Sequence, residues 1–429
     1  MSFSRDKVIS TFGEYMVCPF SLQGSDLSLA KISKIGLADF EKYKYIHESK
    51  VYRGDTAPDE NMLLKEIENT IVSLLNKSNK IPLLLLSDGK DSMGLALALS
   101  ESKIKCKTLT LLRSEDSELK KYISGVAMRL GHDPHFISVD EILSGYDNEL
   151  FLKACGTMKS PVLDQGLLFF LMGCSLFFSK EGLDSKEYVL IDGLGNDEHF
   201  GYLPSKHQRN AFRLSQFNIW KILPKKKIPC LRWFIRSPAE AHGDLSALSA
   251  FFPFGKSFDL NCYFSKVPKS IEEITFIDFR AFSRGAFHDH QCMMGKTIAT
   301  AKSLGCDVIF PWADKDLADF CFNLPISSKF DYKNLKNKLL LRDLLSNSLG
   351  WKQEKRGVDL YFDLDLNNFK ENVLKKNVPD EIINVIDSSK FIPLSVKRRA
   401  YLELNNFYGY CKVNGLEECT IKNILFGND

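Results

Sequence analysis

The residues best placed to do chemistry lie in one short run, Ser87-Asp88-Gly89-Lys90-Asp91-Ser92. An apolar stretch at residues 81–86 precedes it and has the length of a buried strand. Met93, Leu95, Leu97, Ala98 and Leu99 follow it and open a helix. A tight polar loop between strand and helix is an anion site. The first helical N–H groups have no internal partner, and the helix dipole adds partial positive charge there. Ser87, Gly89 and Ser92 are small enough to let the backbone wrap a phosphate, and Ser92 or Asp91 is placed to cap the helix. A second strand end has similar character. The buried strand at residues 188–191 runs into Asp192-Gly193-Leu194-Gly195-Asn196-Asp197-Glu198. The plain alternative for either loop is a turn between core elements.

Elements that could position these loops are legible on both sides. A helix is expected over 61–77, with Leu63, Leu64, Ile67, Ile71, Leu74 and Leu75 on one face. Residues 104–112 read as a strand, 117–130 as a helix ended by Gly131, and 135–139 as a third strand. Alternating strands and helices imply an α/β fold, a parallel sheet wound with helices. Ligands of such sheets sit at the C-terminal strand ends, which gathers residues 87–92, residues 111–114 and the next strand end around one crevice. Farther on, 161–178 is an apolar helix, 307–314 a buried turn leading to a helix that ends near 324, and 334–349 an amphipathic helix. Three regions are expected. Residues 1–60 form a short β-rich or linker region, 61–345 the main domain with a loop-rich insertion at 203–270, and 346–429 a mainly helical C-terminal region.

Composition narrows the partners. The 429 residues carry a net charge of +3, which gives no reason to expect nucleic acid, and Lys225-Lys226-Lys227 reads as solvated loop. No apolar run reaches membrane-spanning length and residues 1–20 lack a signal-peptide core, so a cytoplasmic chain with no membrane partner is expected. The eleven cysteines form no CxxC pair, which argues against zinc and against a disulfide scaffold. Cys174, Cys306 and Cys321 read as small core residues, and His288-Asp289-His290 as loop or helix surface rather than a metal site.

The loop at 87–92 resembles the SGGxDS motif of the PP-loop ATP pyrophosphatases, with Asp88 in place of the first glycine. It lacks the spacing of the P-loop. Residues 192–202 resemble the SGEGSDExFGGY segment of asparagine synthetase, residues 305–314 its GxExRxPFxD turn, and residues 338–342 its KxxLR helix. Residues 352–362 are similar to its basic, aromatic tail. The resemblance spans residues 51–362 with its motifs in order. It implies the PP-loop (adenine nucleotide alpha hydrolase-like) version of the expected fold, ATP as co-substrate and Mg²⁺ as its metal. It also implies residue roles. The pyrophosphate would lie on Ser87, Asp88, Gly89, Lys90, Asp91 and Ser92, with Gly193 and Gly195 beside it. The backbone of Leu111 and Leu112 would hold adenine. Asp91 and Asp197 would carry Mg²⁺, and Lys338, Asp197 and Glu198 would be catalytic.

Three departures from the family pattern shape the functional expectation. Ser2 stands where glutamine-dependent members have a nucleophilic cysteine, so no glutaminase domain is expected, and the amine must come from ammonia, a partner protein or the substrate itself. Leu194 replaces the glutamate of SGEGSDE, leaving Glu198 or His199 to take over, although His199 reads better as structural. In the GxExR turn Asp307 keeps the acid and Ile309 loses the arginine, so an altered substrate pocket is expected. The leading expectation is an ATP-dependent ligase that adenylates a small-molecule or peptide carboxylate and passes it to an amine. The alternatives are a nucleobase-modifying enzyme like 7-cyano-7-deazaguanine synthase, or a diverged ATP-binding subunit of a larger system.

Overall fold

The computed structural model describes residues 58–113, 117–158, 164–203, 293–331, 333–352, 368–388 and 394–415, with isolated positions at 206, 210 and 366. The expected N-terminal strands, the insertion, the Lys225 run, the His288 cluster and the aromatic tail after Lys352 lie outside these residues, apart from residues 203, 206 and 210 of the insertion.

Helix α1 (Glu60–Ser78) starts where Asp59 accepts a hydrogen bond from Met62 N at 2.8 Å, and it buries Leu63, Ile67 and Ile71. It delivers the chain to β1 (Ile81–Leu85), α2 (Lys90–Glu101), β2 (Lys107–Leu112), α3 (Ser117–Arg129) and β3 (Asp133–Ser138). Two helices come next, α4 (Val139–Ser144) and α5 (Asn148–Gly156), then α6 (Leu167–Glu181), β4 (Tyr188–Ile191) and the single turn α7 (Asp197–Phe200). The chain continues with α8 (Met294–Leu304), β5 (Asp307–Ile309), α9 (Lys315–Phe322), α10 (Ile326–Lys329) and a two-strand ribbon, β6 (Phe330–Asp331) with β7 (Lys336–Asn337). Helices α11 (Leu339–Leu349), α12 (Asn368–Leu374), α13 (Asp380–Asp387) and α14 (Leu394–Val413) complete it.

The five long-range strands form one parallel sheet in the order β3-β2-β1-β4-β5. Successive residues of β1 point to opposite faces, as the pleat requires. Leu83 enters the core shared with α5, α6, α8 and α12–α14, whereas Leu84 enters the core shared with α1, α2, α3 and α11. Both faces are therefore covered, which explains why β1 and β4 are apolar throughout. From β1 the chain winds outward to β2 and β3, then returns to place β4 on the other side of β1. That reversal opens a crevice at the C-terminal ends of β1 and β4.

The amphipathic helix expected over 334–349 is shorter than its apolar pattern suggested. Residues 334–338 belong to the ribbon and the bend after it, with Leu335 and Lys338 both left-handed (φ 53° and 57°). Lys338 therefore precedes α11 rather than riding on it.

Candidate active site

Both loops at the crevice are fixed by their own side chains. The Ser92 hydroxyl accepts from Ser87 N at 3.1 Å and lies 3.0 Å from the Ser87 hydroxyl and 3.1 Å from the Ser87 carbonyl. Gly89 N donates back to Ser87 Oγ at 3.2 Å. The expectation that Ser92 or Asp91 caps the helix is not met. Gly89 is the N-cap of α2 and no side chain caps it, because Ser92 closes the loop on itself and Asp91 is engaged elsewhere. The free N–H groups at the head of α2 thus remain available to an anion.

Asp91 and Asp197 come from different strand ends and meet at one cation. Lys338 Nζ lies 2.8 Å from both oxygens of Asp91 and 2.6 Å from Asp197 Oδ1. Its side chain is fully buried. Burial alone would lower the ammonium's pKa, but the Asp197 and Asp91 carboxylates outweigh it and hold the group above the ordinary lysine value. The left-handed backbone at Lys338, costly for a side chain of this kind, turns the amine into the crevice instead of along α11.

Lys90 is the second cation. It is buried at the first position of α2, and burial first, then the neighbouring Lys338 and Arg342, depress its pKa to about 8 against the pull of Asp91 and Asp197. A buried lysine at the positive end of a helix is unfavourable without an anion nearby. Asp88, the departure from the SGGxDS pattern, has its carboxylate within electrostatic reach of Tyr122 on α3, whose phenol is raised first by burial and then by that charge.

The second loop leans on the first. A Cβ at Gly193 would come within 3.0 Å of Ser92 N, and one at Gly195 within 2.7 Å of Ala313 Cβ. Gly195 also has φ +93°, so only glycine fits there without strain. Asp192 is buried and anchors the loop from beneath, accepting from Leu194 N at 3.2 Å and Thr297 Oγ1 at 2.5 Å. Burial raises its pKa, and Lys296, itself paired with Asp164 at 3.3 Å, partly offsets that.

Four further residues complete the site; Asn196, Trp312 and Arg342 lie in segments quoted above without a role, and Trp351 was not singled out from the sequence. Asn196 Nδ2 donates to Asp91 Oδ1 at 2.8 Å. Trp312 Nε1 donates to the Asp91 carbonyl and Trp351 Nε1 to the Asp88 carbonyl, each at 3.1 Å. Arg342 lies with its guanidinium 5.5 Å from the Trp351 ring. Residues 305–314 and 338–342 held the signal for two of these, Trp312 and Arg342, since both lie within motifs already quoted.

At β2, the last pairs with β1 are Leu85 with Leu109 and the bond from Leu86 N to Leu109 O. By two-residue alternation the N–H and C=O of Leu111 face the same side as those of Leu109, toward the loop that leaves β1, while those of Leu112 face β3. Glu198 belongs to α7, and its side chain lies outside the described residues. His199 is buried. Asp307 is not a pocket residue. It stands at the N-terminal end of β5, opposite the crevice, and pairs with Lys80 at 2.9 Å. The retained acid of the GxExR turn thus stabilises the far rim of the sheet.

Fold and loops together define an α/β protein of the PP-loop type. The sequence model of the asparagine synthase family matches residues 78–391. The chain belongs to that family, whose members are in general ATP-dependent ligases that form amide bonds. Among curated proteins none matches the chain. No helix among the described residues is long and apolar enough to cross a membrane.

The residues present fit a magnesium ion. Mg²⁺ is commonly held by one or two carboxylates with the substrate's phosphates supplying the rest. Asp91 and Asp197 are already arranged around a single positive charge at the head of α2.

Proposed function

We propose that this chain uses ATP to adenylate a carboxylate and then transfers the acyl group to an amine. In the first step a carboxylate oxygen attacks the α-phosphorus, the bond to the bridging oxygen breaks, and pyrophosphate leaves with the electron pair. In the second, the amine nitrogen attacks the acyl carbon, AMP leaves, and the nitrogen gives up its proton. The observation that carries this reading is the buried Lys338 ammonium held between Asp91 and Asp197 at the head of α2.

Each residue then has a role. The N–H groups of residues 87–92 hold the pyrophosphate, and Ser87, Asp88, Gly89 and Ser92 shape that cradle. Lys90 adds a cation that the anion would keep protonated. Gly193 and Gly195 bring the second loop close, and the backbone of Leu111 and Leu112 lines the adenine end. Lys338 stabilises charge developing on the phosphates and holds both aspartates in place. Asp91 and Asp197 would hold Mg²⁺, which when bound neutralises charge on the phosphate oxygens. Glu198 is assigned to the amine's proton, since Leu194 cannot take it. The acyl and amine substrates are small molecules or peptides, the amine being free ammonia, one delivered by a partner protein, or one carried on the substrate.

Calorimetric titration with α,β-methylene ATP, with and without Mg²⁺, tests the reading. Mg²⁺-dependent binding that disappears in Asp91→Ala, followed by pyrophosphate release in a screen of carboxylates and amines, is the expected result. A wild-type chain that binds no nucleotide would overturn it.

A further inference from the structure

We infer that Asn196 supplies an oxygen ligand to the magnesium ion held by Asp91 and Asp197, a role that rests on the ligase reading above. Asn196 is 2 % exposed and sits at the tip of the second loop. Gly193 and Gly195 press that loop against the backbone of Ser92 and the turn at Ala313. The Asn196 amide nitrogen donates to Asp91 Oδ1 at 2.8 Å. That bond fixes which end of the amide is oxygen, because the reverse orientation would set two acceptors against each other. The other end, Oδ1, is buried and has no hydrogen-bond partner among the described residues. A buried acceptor left unpaired is expensive, and such an atom marks a place where a donor or a cation belongs.

The position of that atom narrows its occupant. Asn196 is bonded to one proposed metal carboxylate and precedes the other in sequence. An amide oxygen is hard and neutral, the kind of ligand that completes a magnesium shell after the carboxylates and phosphates. Neutrality matters here, because Lys338 already balances charge at the two aspartates. The family pattern carries serine at this position. A serine hydroxyl must use one atom as both donor and acceptor. Asparagine divides the tasks, its N–H holding Asp91 while its oxygen stays free.

Exchanging the oxygen for sulfur tests this directly. Titrations with α,β-methylene ATP would compare wild type, Asn196→Cys and Asn196→Ala in Mg²⁺, in Cd²⁺ and without metal. Loss of the oxygen is expected to weaken Mg²⁺-dependent affinity by about tenfold or more. Cd²⁺, which favours sulfur, should restore Asn196→Cys to near the wild-type value in the same metal, but not Asn196→Ala. Cooperative urea unfolding like that of the wild type would show that both variants keep the fold. If the two variants are weakened equally in both metals, Asn196 only positions Asp91 and the inference falls. If neither is weakened in Mg²⁺, the oxygen meets no metal and the inference falls as well. A wild-type chain that binds no Mg²⁺-nucleotide would instead overturn the ligase reading itself.

Discussion

The indole N–H of Trp351 donates to the carbonyl oxygen of Asp88 at 3.1 Å, joining the segment after α11 to the middle of the loop at 87–92. The indole of Trp312 does the same for the carbonyl of Asp91. Two large, buried, rigid side chains thus hold carbonyls of the loop at 87–92, which in the proposed function presents its N–H groups to pyrophosphate. In Trp351→Phe the ring persists and the donor is lost. The expected cost is about 1 kcal/mol of stability, with nucleotide affinity reduced by about threefold to tenfold. Urea unfolding and calorimetry on the same variant would check both; an unchanged affinity would mean the loop holds its shape without the bond.

Removing the shared cation should act on stability and on chemistry in opposite directions once divalent metal is added. Lys338→Met leaves Asp91 and Asp197 close together without the ammonium that sits between them. Their partial exposure moderates the cost, which we expect at about 2 kcal/mol in metal-free buffer. Mg²⁺ should recover more stability in the variant than in wild type, because it replaces the missing charge. Pyrophosphate release should still fall by about a hundredfold or more. Thermal melts with and without Mg²⁺ read the first effect, and equal metal responses in both proteins would contradict it.

Gly195 meets two separate obstacles to substitution. Its φ of +93° disfavours any side chain, and a Cβ would come within 2.7 Å of Ala313 Cβ. Gly195→Ala should cost about 1–3 kcal/mol and displace the loop bearing Asp197. Because Ala313→Gly removes one obstacle and not the other, the double variant should recover only part of the loss. Full recovery would show that the backbone angle carries no cost.

His132 gives the fold a pH limit on the acid side. It is buried, its Nε2–H donates to the Ala96 carbonyl at 2.9 Å, and Nδ1 faces the Cys106 sulfur at 3.5 Å. Burial pushes the Cys106 thiol up to about 12, so it stays protonated and suits a neutral imidazole. Burial also lowers the His132 pKa below its usual 6.5, a shift the Ala96 bond only partly offsets. The unfolded chain therefore takes up this proton more readily than the folded one. Stability contributed by His132 is present above pH 6.5 and is lost as pH falls below it, by up to about 1.4 kcal/mol per pH unit. Urea unfolding between pH 7.5 and 5 should show a shallower fall in His132→Gln than in wild type. Parallel curves would exclude His132 as the source.

The two central strands, β1 and β4, were legible because the sheet is covered on both faces there and they read as unbroken apolar runs. The strand at Tyr188–Ile191 has the expected bounds, and α1 differs from expectation by one residue at each end. Helices α4 and α5 went unread although their starts are marked. Ser138 and Glu141 form a reciprocal capping box and Asp147 caps α5, but both helices are too short for periodicity to stand out. The bend at Lys338 was hidden for another reason. Apolar spacing continues smoothly across it, and only tertiary pairing with two distant carboxylates selects the left-handed conformation. Asp307 misled because position in a motif does not reveal which end of a strand a side chain occupies. Asn196 was passed over because its significance depends on which of its two atoms finds a partner.

The placement of β4 beside β1 also constrains how the molecule reaches its native state. The bond from Asn196 to Asp91 closes a loop of 105 residues, and the bonds from Lys338 to Asp91 close one of 247. Pairing across such separations sacrifices much chain entropy before any contact rewards it, and is slow for that reason. Helices such as α1 can form early from local contacts, but nothing resembling a nucleotide pocket exists until the outermost segments have docked. If the proposed function holds, nucleotide binding serves as a readout for completion of folding, and a stalled intermediate of this chain would have secondary structure yet no affinity for ATP.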